Sequence, residues 1–137
     1  MTAFEQVVKK YYEEQGFNCC ETIIHAANEY YQLGLHEEDM KMAAGFGSGM
    51  YSGGTCGALI AGVAVLSKLV IRTKAHDQLE ELRPVISACC RRFKEKAGAV
   101  ECAKVRPVFH TKETRCLNTV LMAAGVLEET VNQFHLA

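Results

Sequence analysis

Apolar residues along the chain recur three and four places apart, the spacing of helices that bury one face. Phe4, Val7, Val8, Tyr11 and Tyr12 make the first such stripe. Thr2 and Glu5 form a capping box ahead of it, and Gly16 is placed to close it. A second stripe, Ile23, Ile24, Ala27, Tyr30 and Tyr31, predicts a helix from Cys19 to Leu33, with Asn18 as N-cap, Glu21 three residues later and Gly34 beyond its end. A shorter helix over Glu37 to Ala44 is expected to stop at Gly45.

The pattern then changes, because Gly45 to Gly62, in GFGSGMYSGGTCGALIAG, holds seven of the eleven glycines. Backbone there must bend sharply or pack closely. Thr55 is the expected cap of a helix from Cys56 to about Thr73, where Ala58 to Leu66 leave almost no polar face. Such a helix belongs in the middle of a bundle. Asp77 with Glu80 opens another helical stretch to Gly98, kinked or restarted at Pro84. A short turn over Glu101 to Val105 ends at Pro107, and a last helix runs from about Lys112 to Phe134, with Gly125 as its weak point. No segment alternates as a strand would, and no repeat or linker appears. The expectation is one all-α domain over residues 1–137, a compact helical bundle with a central apolar helix after a glycine-rich loop.

Charge and hydropathy remove several partners. A net charge of -1 supplies no field for nucleic acid phosphates. The longest apolar run, Ala58 to Leu66, is too short to span a bilayer about 30 Å thick, so membrane insertion is not expected. The opening MTAFEQVVKKYYEEQG carries acids and lysines where a secretory signal needs a continuous apolar stretch, so a cytoplasmic location is expected. Self-association as a homodimer, through an apolar helix face, is the expectation for a small helical protein.

Seven cysteines change the picture most. In a reducing compartment they point to metal binding or redox chemistry rather than structural disulfides, unless they serve as small core hydrophobes. Cys19 after Asn18 and Cys56 after Thr55 fall in the first turns of helices, where unpaired N–H groups favour a thiolate. These two are therefore expected to be the more acidic thiols. Gly54 and Gly57 beside Cys56 would let a cofactor approach closely, or simply make a tight turn. Cys89 and Cys90 read as core or partly exposed thiols, and Arg91, Arg92, Lys94 and Lys96 as a solvated helix face. The glycines at 45, 47 and 49 follow no strand, and no P-loop is present. Among five histidines without paired spacing, His110, six residues before Cys116, is the one to follow. No enzyme class can be assigned from these residues.

Taken together, Asn18-Cys19, Ala44 to Met50, Cys56-Gly57-Ala58-Leu59-Ile60-Ala61-Gly62, Phe93 to Gly98 leading to Cys102, and Cys116 resemble the redox-active proteins named for the pattern C_GCAxxG_C_C. The resemblance implies a redox role for Cys19, Cys56, Cys102 and Cys116, and leaves Cys20, Cys89 and Cys90 outside the pattern. Four thiols admit two chemistries. They could ligate an iron–sulfur cluster or, second to it, zinc; or they could cycle as dithiols with no cofactor, in exchange with a redox partner protein. Intervals of 37, 46 and 14 residues suit contributions from separate helices of a bundle. The contrasting reading is a non-catalytic binding or scaffold module whose cysteines fill the core or hold a structural zinc.

Overall fold

Capping decides where the first two helices begin. In the computed structural model, which describes residues 1–137, α1 (Ala3–Gln15) starts at a complete Thr2–Glu5 capping box and ends at Gly16 with φ 72°. The second helix, α2 (Cys19–Tyr31), starts at the matching Asn18–Glu21 box. It stops two residues earlier than expected, because Gln32 takes the left-handed cap (φ 54°) ahead of Gly34.

A short α3 (Glu37–Met40) tightens into a 3₁₀ turn over Lys41–Phe46. The glycine-rich segment then makes a left-handed run: Ser48, Gly49, Met50 and Tyr51 all have φ between 49° and 62°. Three of these four are not glycine, and such backbone costs roughly 1–2 kcal/mol per L-residue, so the surroundings must hold it. Asn18 does part of this, donating from Nδ2 to the Ala44 carbonyl at 2.9 Å and the Tyr51 hydroxyl at 3.3 Å.

The apolar α4 (Gly57–Val70) packs against α2, α5 (Leu79–Ala97) and α7 (Leu117–Gln133), the central position its composition requires. Several boundaries differ from the sequence reading, each for a local reason. Cys56, not Thr55, caps α4, since Thr55 pairs as an isolated antiparallel bridge with Glu101. The helix ends at Val70, where the Gln78 side chain accepts the Arg72 N–H at 2.6 Å and donates to the Val70 carbonyl at 2.9 Å. Gln78 rather than Asp77 precedes α5, which continues through Pro84 without restarting. Residues expected as a turn form α6 (Cys102–Phe109), which passes through Pro107. Finally, α7 begins at Leu117 because Thr111 and Arg115 bridge into a turn ahead of it, and Gly125 does not interrupt it.

One hydrophobic cluster of 27 buried residues draws from every helix except α3. The basic run of α5 is only partly a solvated face. Arg92 reaches α7, donating to Thr130 Oγ1 at 3.0 Å and to Gln133, and Lys96 pairs with Glu129 at 2.6 Å. No helix is long and apolar enough to cross a membrane. Phe93, fully buried on α5, is among the largest side chains of this core. Phe93→Ala is expected to lower stability by about 3–5 kcal/mol, the usual cost of deleting a buried aromatic ring, measured as a shift of the urea midpoint at unchanged slope.

Candidate thiol centre

All four pattern cysteines stand at helix starts. Cys19 and Cys102 are the first residues of α2 and α6, while Cys56 and Cys116 are the caps of α4 and α7. Sequence reading anticipated this for Cys19 and Cys56 only, since neither α6 nor the start of α7 was visible in the pattern.

Backbone pairing joins two of these starts. Across the Thr55–Glu101 bridge, the Cys56 N–H donates to the Val100 carbonyl at 2.8 Å and the Cys102 N–H to the Gly54 carbonyl at 2.6 Å. The left-handed Gly49 lies under α6, where a Cβ would come within 2.8 Å of Cys102 Cβ. Cys19 closes in from α2, its sulfur 2.8 Å from the point a Cβ on Gly57 would occupy. The close approach expected at Gly57 is thus made by a sulfur of the chain itself, against which any side chain would collide. Gly54 contributes its carbonyl to Cys102 and its N–H to the Gly49 carbonyl at 2.9 Å.

Cys116 is tied in from the fourth direction. Its N–H donates to the hydroxyl of buried Tyr12 at 3.0 Å, and the Arg115 guanidinium stands 5.0 Å from the Tyr12 ring centroid. Spacing had placed Tyr12 on a packing stripe, and it does pack; no signal in the sequence marked its hydroxyl. Arg115 and Arg106 carried no signal either.

The charges of these four cysteines act on one another. Charge on Cys116 and Cys102 is felt at Cys19, charge on Cys19 and Cys102 at Cys56, and charge on Cys102 at Cys116. Cys19 and Cys56 are nevertheless not acidic, which corrects the expectation for them. Burial pushes Cys19 up, with the Ser48 and Cys20 N–H groups opposing it. Burial and then the charge of Cys19 push Cys56 up to about 11, against opposition from the Ala58 and Leu59 N–H groups. Those N–H groups face the sulfur without closing a capping hydrogen bond, so the helix start offsets only part of the desolvation. Cys116 is raised by burial and held back by Arg106.

The remaining cysteines lie apart in role. Cys20 and Cys89 are core residues, 2% and 1% exposed, each pushed up to about 12 chiefly by burial. Cys90 is half-buried against the same core. His110 caps the end of α6 and faces an open cavity shared with Cys102. His25 stacks on Phe17 at 4.1 Å, an aromatic contact rather than a ligand position.

All seven cysteines are free thiols. Four sulfurs form the soft donor set that zinc or an iron–sulfur cluster takes. No group of three or more His, Cys, Asp or Glu side chains is placed to hold a single metal ion.

A family model described as "Putative redox-active protein (C_GCAxxG_C_C)" matches residues 17–130, a span that contains all four cysteines. A protein of Archaeoglobus fulgidus described as "Uncharacterized protein" is 30% identical over 122 residues, which cover 80% of this chain and 81% of the relative. No solved structure matches.

The raised thiols make stability depend on alkaline pH in a defined direction. Unfolded, these cysteines release protons near 9.0; folded, Cys56 does so near 11 and Cys20 and Cys89 near 12. Between those limits the folded state binds protons that the unfolded state has lost, so stability is full below pH 9 and falls as pH rises towards 12. Urea unfolding of the reduced protein at pH 8 and pH 11 is expected to show the lower midpoint at pH 11, with part of the loss removed in Cys89→Ala.

Proposed function

The chain belongs to the C_GCAxxG_C_C family of redox-active proteins, and within it we propose that Cys19, Cys56, Cys102 and Cys116 form a thiol redox centre that cycles between dithiol and disulfide. The observation that supports this reading is that each of these cysteines stands at a helix start, with the starts at Cys56 and Cys102 joined by backbone hydrogen bonds and the Cys19 sulfur packed on Gly57. Oxidation of two neighbouring thiols forms one S–S bond and delivers two electrons and two protons to an acceptor; reduction reverses it. The thiols differ in access: Cys56 is 4% exposed, whereas Cys19, Cys102 and Cys116 are half-buried. The half-buried thiols suit exchange with a partner, and the buried Cys56 suits the protected side of a disulfide.

A second reading, an iron–sulfur cluster on the same cysteines, is favoured by one observation. Backbone N–H groups of Ser48, Ala58 and Leu59 face Cys19 and Cys56, and such groups stabilise negative charge on cluster sulfurs.

Protein purified without oxygen separates the readings. A thiol centre is expected to be colourless and iron-free, to lose two thiols per chain on mild oxidation with diamide, and to regain them with dithiothreitol. Peptide mapping should place the new bond among these four cysteines, and Cys56→Ser should reduce the thiols lost. Stoichiometric iron with visible absorption that disappears in Cys56→Ser would establish the cluster instead. Oxidation confined to Cys20, Cys89 or Cys90 would overturn both.

A further inference from the structure

Beside Cys102 lies an open cavity of about 660 Å³. That volume is within the range that takes a small organic ligand. Cys102, Arg106 and His110 form one wall, spaced four residues apart so that α6 presents them on a single face. Ser48 and Tyr51 from the left-handed run form the other wall. No carboxylate lines the cavity. Arg106 is exposed and enters no ion pair with any acidic side chain. Its charge also acts on Cys116.

A thiol next to an unpartnered guanidinium in a cavity of this size is built for a substrate with sulfur at one end and negative charge at the other. We infer that the cavity is the substrate site of the centre and that it takes small disulfides bearing a carboxylate, with Cys102 as attacking thiol and Arg106 as the carboxylate anchor. The inference rests on the thiol-redox reading above and adds to it a substrate class and an order of events. Arg suits the anchoring role because its planar fork can donate two parallel hydrogen bonds to a carboxylate.

The reaction balances as thiol–disulfide exchange. The Cys102 thiolate attacks one sulfur of R–S–S–R; the substrate S–S bond breaks, its electron pair leaves on the first RS⁻, and Cys102 retains the other half as a mixed disulfide. The Cys116 thiolate then attacks Cys102 Sγ, and the bond between Cys102 and the substrate sulfur breaks to release the second RS⁻. Protons from the two cysteine thiols end on the two departing thiolates. One substrate disulfide is reduced by two electrons to two thiols, while Cys102 and Cys116 are oxidised to a disulfide. An external dithiol resets the pair by the reverse exchange.

The test uses the full-length reduced protein and three disulfides: the dianion 5,5′-dithiobis(2-nitrobenzoate), the uncharged 2,2′-dithiodipyridine and the dication cystamine. Each rate is divided by that of the same reagent with the urea-unfolded protein, which removes intrinsic reactivity. The expected order is anionic, then uncharged, then cationic, with Cys102 carrying the first adduct by mass spectrometry. In Arg106→Ala the ratio of anionic to uncharged rates should fall about tenfold or more, the scale of a lost charge-assisted hydrogen bond, and Arg106→Lys should restore part of it. Raising the salt concentration should shrink the same ratio in the native protein and not in Arg106→Ala. A ratio unmoved by Arg106→Ala, or a first adduct elsewhere than Cys102, would overturn the assignment of this cavity. Failure of the underlying redox reading looks different: the mixed disulfide at Cys102 would then persist equally in the native protein and in Cys116→Ser, with anion preference intact.

Discussion

Two backbone hydrogen bonds across Thr55 and Glu101 are the constraint on which the site depends. They clamp the end of the glycine-rich segment to the start of α6 and so place Cys56 and Cys102, 46 residues apart in sequence, at one spot. Everything else arranges itself around that clamp. The left-handed run of Ser48 to Tyr51 lets the chain turn beneath α6, and the bare Gly57 leaves room for the Cys19 sulfur. Tyr12 supplies the fourth tie through the Cys116 N–H. The clamp consists of only one residue pair, not a sheet, which is why the protein remains all-helical while using strand-like pairing at its most specific point.

The centre also shows how burial and helix polarity compete. Helix starts offer N–H groups to Cys19 and Cys56, and a sequence-level argument from the dipole makes these thiols acidic. Packing them against α4 and one another removes water, and adjacent sulfurs cannot all carry charge at close range. Desolvation wins for both. Polarity still contributes, because it limits the rise, and Arg106 does the same at Cys116. Burial thus favours the protonated form of Cys19 and Cys56.

What was legible in the sequence follows the range over which each signal acts. The capping boxes at Thr2 and Asn18 are local, and both are formed as read. The apolar run of α4 implied a central helix, and α4 packs against three others. Signals failed where a distant partner decides. Thr55 looks like an N-cap until Glu101 claims its backbone. Glu101 to Val105 looks like a turn because Pro107 lies ahead, yet Cys102 to Phe109 completes two turns of helix in which the proline is accommodated. The four cysteines could be listed from the pattern, but their common placement at helix starts, the role of the Tyr12 hydroxyl and the lone guanidinium of Arg106 exist only once the chain is folded.

The division of the cysteines along the chain bears on how the protein is made. Cys19 and Cys56 precede α5, whereas Cys102 and Cys116 follow it, and α7 returns to pack on α1. A chain emerging from the ribosome therefore exposes its first two thiols well before the second two exist. During that interval the left-handed run has no α6 above it and the sulfur of Cys19 has no completed enclosure. Assembly of the centre is thus a late event of biosynthesis, and the nascent chain passes through a stage in which its thiols are open to indiscriminate oxidation that the finished fold forbids.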